Sequence, residues 1–301
     1  MIVFNRPEET RLSFDAVRNA APRKLFVIAD GPRVSHPGEA ERCAEVQKVF
    51  DDVDWECDVE RIVSSQNLGC KQRVVSGLDH VFAAVEEAII LEDDCVPSPG
   101  FFTFCDAMLQ RYRHDDRVGT VAGTRFGPDT PTGAYSFSRY PRVWGWASWR
   151  RAWEKNDPDM LAYREEQDAG SPNGLTRVER LVLGPVFESV ARGEIDTWDY
   201  QWMSSLLRTG AVTVVPPTNL VSNIGFSAEA THTTAPSRFS NLPTGDLGSF
   251  AEPARVEPDR STDGRMLLLN FSNPVSKAVN VLWRCAHRVR SLMRRTEASP
   301  N

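Results

Sequence analysis

Glu92, Asp93 and Asp94 stand in a row, directly after the aliphatic run Ile89-Ile90-Leu91 and just before Pro97 and Pro99. Three adjacent carboxylates repel one another, so a cation or a set of hydrogen-bond donors must offset the cost. Their hard oxygens suit Mg²⁺ or Mn²⁺, ions that commonly share their coordination with a substrate's phosphates. The alternative is a solvated acidic turn. Asn5 and Asp30 offer donors and acceptors suited to a base or a ribose, against the plainer roles of helix cap and turn residue. Lys71 and Arg73 follow the turn Asn67-Leu68-Gly69 at the start of a helix, where cations beside helix N–H groups suit a diphosphate. A solvated helix face is the other reading of that pair.

Two aromatic clusters add to these. In Trp198-Asp199-Tyr200-Gln201-Trp202 a carboxylate lies between large aromatics, where poor hydration raises its pKa and makes it a better base. Equally, Asp199 caps a helix whose Trp198 and Trp202 form an i, i+4 core pair. In Trp144-Gly145-Trp146-Ala147-Ser148-Trp149, alternation puts Trp144 and Trp146 on one face. They form either a wall against a sugar ring or a core seam. His232, in the polar stretch after Asn223-Ile224-Gly225-Phe226, is a candidate third metal ligand or phosphate donor.

The elements that must position these residues alternate in the first half. Strands are expected at 2–4, 25–29, 57–63, 89–91 and 118–122, and helices from 7, over 37–50, after the turn 67–69 with Val74, Val75, Leu78, Val81, Phe82 and Val85 at helical spacing, and over 99–112. This order predicts an α/β fold with a mostly parallel central sheet and helices on both faces. In open α/β sheets ligands bind at the carboxyl ends of the strands, and Asn5, Asp30 and the acid trio all follow expected strands. The second half suggests helices at 175–192 and 199–207 and a strand at 212–215. Residues 222–263 read as long polar loops, with the composition of a lid. The expected organisation is a nucleotide-binding half at 1–122, an acceptor-binding half at 123–265 and a tail at 266–301, with both halves serving one site.

Composition narrows the classes. At 301 residues, the chain can bury roughly 75% of its unfolded surface and needs no covalent staple. Its net charge of -6 argues against general nucleic-acid binding. Cys43, Cys57, Cys70, Cys95, Cys105 and Cys285 form no C-x-x-C pair, and histidine is scarce, so buried free thiols are expected rather than a zinc site. No apolar stretch approaches the ~20 residues of a membrane span, and the start lacks the basic and apolar regions of a signal peptide. A cytoplasmic location is therefore expected. Residues 275–295 carry Lys277, Arg284, Arg288, Arg290, Arg294 and Arg295 without an acid, with Ala278, Leu282, Cys285, Val289 and Leu292 on one helical face. Such a helix either docks on its own domain or lies peripherally on an anionic membrane surface, here the inner face of the cell membrane.

Taken in order, Asn5-Arg6-Pro7, Asp30-Gly31, the acid trio followed by Pro99-Gly100-Phe101-Phe102, and Trp198-Asp199-Tyr200-Gln201-Trp202 resemble a bacterial family-2-like glycosyltransferase of the GT-A type. More distantly, the chain is similar to the Golgi N-acetylglucosaminyltransferase I family. The resemblance spans roughly residues 1–235. It implies a GT-A fold, a nucleotide-sugar donor that is most often a UDP-sugar, a saccharide or glycoconjugate acceptor, and Mn²⁺ or Mg²⁺. It also implies that Asp94 binds the metal, that Asp93 approaches the donor's ribose or sugar, and that Asp199 is the base of an inverting transfer. Asn5, Arg6, Asp30, Lys71, Arg73, Glu92 and Asp93 would bind the nucleotide-sugar, and Trp144, Trp146, Trp198 and Trp202 would form a sugar platform. The trio is Glu-Asp-Asp where the family has Asp-x-Asp, which leaves the role of Glu92 open. Polysaccharide assembly is the commonest setting for such enzymes.

Two other functions fit the same elements. A sugar-phosphate nucleotidyltransferase shares this kind of sheet, but usually has a Gly-rich phosphate loop where this chain has Asn5-Arg6-Pro7-Glu8-Glu9. A non-catalytic carbohydrate-binding protein could keep the fold while losing the acids.

Overall fold

The computed structural model describes residues 1–127, 129–130, 133–168, 174–226 and 239–270. The first half alternates as its sequence requires: β1 (Ile2–Val3), α1 (Pro7–Ala20), β2 (Lys24–Ala29), α2 (Glu39–Val49), β3 (Asp58–Val63), α3 (Cys70–Ala84) and β4 (Glu87–Ile90). Then come β5 (Cys95–Pro97), α4 (Pro99–Arg111) and β6 (Val118–Ala122). Pro7 starts α1 at a position where its missing N–H has no cost, with Glu8 and Glu9 in the first turn facing the positive end of the helix.

β1, β2 and β3 form a parallel sheet in which Ile2 pairs with Ile28 and Lys24 with Asp58. The rest of the chain supplies β7 (Ser136–Ser138), β8 (Trp146–Trp149), α5 (Arg150–Trp153), α6 (Leu161–Asp168), α7 (Arg177–Ala191), α8 (Asp199–Thr209), β9 (Val212–Val215), β10 (Val221–Asn223) and α9 (Arg260–Asn270). A second, five-stranded sheet has the order β4-β8-β6-β9-β7. It is mixed: β8 runs antiparallel to both β4 and β6, β6 parallels β9, and β7 opposes β9. The expectation of a mostly parallel sheet is corrected there. The Trp-rich run at 146–149 forms an antiparallel strand between two strands that run alike. The Ile2 N–H donates to Leu91 O at 2.8 Å, and Ile2 bridges Glu92 in parallel, so the two sheets adjoin at the acid trio.

Strand alternation divides the core. Leu25, Val27 and Ala29 pack with Phe14 of α1, Val46 of α2 and Phe104 of α4. Phe26 and Ile28 point the other way, into a cluster with Leu78 of α3, Trp153 of α5 and Trp202 of α8. With helices on both faces, β2 is buried from Leu25 to Ala29 and reads as a continuous apolar run rather than an alternation of apolar and polar residues. β4 and β6 share the second sheet with β7, β8 and β9, so residues on either side of Gly123 belong to one sheet. A third cluster joins α7, α8 and α9 through Leu183, Phe187, Leu207 and Leu267. α7 opens on a capping box: Thr176 Oγ1 accepts the Glu179 N–H, and Glu179 accepts the Thr176 N–H.

Cys43, Cys57, Cys70, Cys95 and Cys105 are free thiols; burial pushes Cys43 up to about 11. Among the described residues no helix is long and apolar enough to cross a membrane. The tail at 275–295, Cys285 and residues 227–238 of the expected lid, His232 included, lie outside the described residues.

Candidate functional site

The carboxyl ends of β1, β2 and β4 open into one cavity of about 350 Å³. Asn5, Arg6, Asp30, Arg73, Glu92, Asp93, Asp94 and Trp144 all line it, despite their separation in sequence. Asn223, Gly225 and Phe226, from the end of β10 and the stretch after it, close one side.

Asp30 is buried and shapes the floor. It accepts the N–H groups of Leu68 (3.0 Å) and Gly69 (3.2 Å) and the Asn67 amide (3.1 Å). The aspartate at the end of β2 thus pins the turn that launches α3. One helical turn further on, Arg73 is buried and its Nε has no hydrogen-bond partner among the described residues. Burial lowers its pKa, while Asp30 opposes that shift. A buried guanidinium N–H without an acceptor is costly unless a ligand supplies one.

Asn5 donates to Glu39 at 2.8 Å. Glu39, which is buried, also accepts from Arg33, and the Arg33 guanidinium holds its carboxyl down at about 2. Arg33 lines the cavity as well.

The acid trio divides by direction. Asp93 is buried and accepts the Phe4 N–H at 3.2 Å. Asp94 Oδ2 accepts from Arg6 Nη1 at 2.8 Å, and Arg6 also lies 3.8 Å from Asp93. Asp94 Oδ1 accepts the Asn223 amide at 3.3 Å. Gly225 packs tightly there: a Cβ at that position would lie 1.9 Å from Asp94 Oδ2 and 2.9 Å from Arg6 Nη1. No described residue donates a hydrogen bond to the Glu92 carboxylate. Burial, then Asp94 and Asp93, push Glu92 well above the ordinary glutamate value; burial and Asp94 likewise raise Asp93.

Burial is the larger cause of both shifts, and the crowding of neighbouring carboxylates adds to it. Among the described residues, Asp30, Glu92, Asp93, Asp94 and Asp196 line the cavity together with Arg6, Arg33 and Arg73. Among the described residues no group of three or more His, Cys, Asp or Glu side chains is placed to hold a metal ion by itself. An open site is another matter. Hard carboxylate oxygens at Asp94 and Glu92, in a cavity lined by more acids than arginines among the described residues, suit Mg²⁺ or Mn²⁺, which take only one or two protein carboxylates when phosphates complete the shell. The residues present therefore fit a divalent cation shared with a ligand.

Several expected site residues lie elsewhere. Trp146, Trp198 and Trp202 are corrected from platform to core. Trp146 stacks on Trp198 with centroids 5.6 Å apart, and Trp202 packs 5.2 Å from Trp153. The cause is geometric: β8 turns Trp146 toward the face that α3, α5 and α8 cover, and i, i+4 spacing puts Trp198 and Trp202 on the buried side of α8. Trp144 alone reaches the cavity, braced by Phe126 and Phe226 at 5.3 and 5.4 Å. Lys71 also departs: its ammonium binds Asp159 at 2.8 Å on the surface. The α3 N-terminus meets the Asp196 carboxylate, which accepts the N–H groups of Cys70 (2.9 Å) and Lys71 (3.0 Å).

Asp199 is half-buried in the first turn of α8 and does not itself line the cavity. It lies close enough to raise the pKa of Glu92 and of the Cys70 thiol, both of which do. The Thr197 hydroxyl donates to Asp199 Oδ1. Arg33 and Asp196 were not singled out in the sequence. Arg33 follows Asp30-Gly31-Pro32 closely and could have been found from that; Asp196 had no local signal, since its partners are 125 and 126 residues away.

Compared with known proteins, the chain matches no family model, and no curated protein matches its sequence.

Proposed function

We propose that this protein is a metal-dependent inverting glycosyltransferase of the GT-A type, moving a sugar from a nucleotide-sugar, in the first instance a UDP-sugar, to a saccharide or glycoconjugate. The observation that carries the reading is the cavity at the strand ends, where buried Arg73 lacks an acceptor on Nε among the described residues and the carboxylates of the acid trio crowd together. One end wants an acceptor and the other a cation. A nucleoside diphosphate chelating a divalent cation supplies both.

In this reading Asp30, Asn67 and Arg73 hold the nucleoside end, and Arg6 meets the diphosphate. Asp94, with Glu92 beside it, holds the cation. When bound, the cation supplies positive charge against the negative charge that builds on the departing diphosphate. Trp144 offers the aromatic face for the sugar. Asp199 takes the proton from the acceptor hydroxyl as that oxygen bonds to the anomeric carbon and the bond to the diphosphate breaks. One displacement inverts the configuration.

A thermal-shift screen of nucleotide-sugars with and without Mn²⁺ tests this, because a ligand held only by the native state raises its apparent stability. The expected result is a shift with a UDP-sugar that needs Mn²⁺. Release of pyrophosphate from a nucleoside triphosphate would point instead to nucleotidyl transfer.

A further inference from the structure

We propose that Arg6 is an internal competitor of the divalent cation at Asp94. The inference rests on the metal-dependent reading above and adds a regulation to that same site. Arg6 Nη1 donates to Asp94 Oδ2 at 2.8 Å and stands 3.8 Å from Asp93 Oδ1. Both side chains are largely shielded, with 18% and 14% exposure. A shielded ion pair is screened little by water or salt, so it opposes a second cation strongly. The other oxygen of Asp94 is also engaged, by Asn223 Nδ2 at 3.3 Å and by the Cys95 thiol at 3.5 Å. A cation approaching Asp94 must therefore share or displace the contact that Arg6 holds.

The place of Gly225 strengthens the point. Its backbone packs against both partners, so close that a Cβ would meet each of them. The absence of a side chain at Gly225 thus leaves room for the Arg6–Asp94 pair. A guanidinium has five N–H groups, and Arg6 gives one nitrogen to this carboxylate while lining the cavity. It can exchange the carboxylate for a phosphate oxygen of comparable geometry. Metal alone then meets an Asp94 carboxylate already paired with Arg6. Metal with a nucleoside diphosphate brings the anion that draws Arg6 away. The consequence is ordered loading: the cation binds weakly by itself and tightly with the nucleotide.

The test is Mn²⁺ binding to wild type, Arg6→Gln and Arg6→Lys, measured by calorimetry with Mn²⁺ alone and then with UDP present. Arg6→Gln should bind Mn²⁺ alone about tenfold more tightly than wild type, because a nearby positive charge is gone. Arg6→Lys, which keeps the charge, should stay near wild type. With Mn²⁺ saturating, Arg6→Gln should bind UDP about tenfold more weakly, through loss of a charge-assisted contact. If Arg6→Gln destabilises the fold, the Mn²⁺-induced rise in Tm of the same three proteins gives the same comparison. Mn²⁺ binding to Arg6→Gln that is unchanged or weaker, alongside normal Mn²⁺-dependent UDP binding by wild type, overturns the competition and leaves the glycosyltransferase reading standing. Absence of Mn²⁺ binding in all three proteins, with or without UDP, overturns both.

Discussion

The Asp196 carboxylate accepts the backbone N–H of Cys70 at 2.9 Å, joining the loop before α8 to the start of α3. Gly69, just before, has φ of +81° and no Cβ; one would come within 2.7 Å of Asp196 Oδ2. The contact satisfies two N–H groups that a helix start otherwise leaves open. Asp196→Ala should cost about 1 kcal/mol of stability, the usual loss for a helix cap. Asp196→Asn, which keeps an acceptor oxygen, should cost less. Urea unfolding of the two variants checks the order; equal stability of Asp196→Ala and wild type would reject the cap.

Glu39 supplies a pH dependence with a definite sign. Arg33 lowers its carboxyl from the ordinary 4.5 to about 2. A depressed folded-state value means that the stabilisation is present above 4.5 and is lost as pH falls toward 2. The stability gap between wild type and Glu39→Gln should therefore be constant from neutral pH down to about 5 and narrow below that. Denaturant midpoints of both proteins across this range are the measurement. A gap that widens on acidification would show the shift to be in the other direction.

The tryptophans separate core from site. Trp202 is fully buried among Trp146 and Trp153. Trp202→Ala should lose roughly 3–5 kcal/mol, as large core truncations do. Trp144 is half-buried and lines the cavity. Trp144→Ala should lose clearly less stability and weaken binding of a UDP-sugar several-fold relative to UDP. A UDP-sugar to UDP affinity ratio unmoved by Trp144→Ala would remove it from the sugar subsite.

Asp199→Asn addresses the base. A group that acts on the acceptor should leave UDP affinity within about twofold while kcat falls by roughly 10²–10⁴-fold. Asn also accepts from the Thr197 hydroxyl, so the local hydrogen bond survives the change. Normal turnover of the folded variant would assign Asp199 to the helix start alone.

Much of this was legible in the residues. The βαβα order, the strand at 25–29 and the acids after 89–91 follow from periodicity and turn formers, which are local. The antiparallel strand β8 was not, because a Trp-rich run of four residues has no period that tells a neighbour's direction. The buried Trp trio was ambiguous for a related reason. i, i+4 spacing fixes a shared face but not whether that face meets a ligand or another helix. Lys71 and Arg73 were read as a pair, yet residues two positions apart on a helix point about 200° apart. One went to the surface and the other into the cavity. The Arg6–Asp94 pair spans 88 residues, and nothing local announces it.

The central claim is that Asp94 serves a cation shared with a nucleoside diphosphate. Titration of UDP into wild type and Asp94→Asn, each with Mn²⁺ and with EDTA, tests it most directly. Wild type should bind UDP with Mn²⁺ and lose most of that affinity in EDTA. Asp94→Asn should bind weakly in both, roughly 10²-fold below wild type with Mn²⁺, the scale of losing one electrostatic anchor. UDP affinity that is the same in all four titrations, or absent from wild type with Mn²⁺, would contradict the claim.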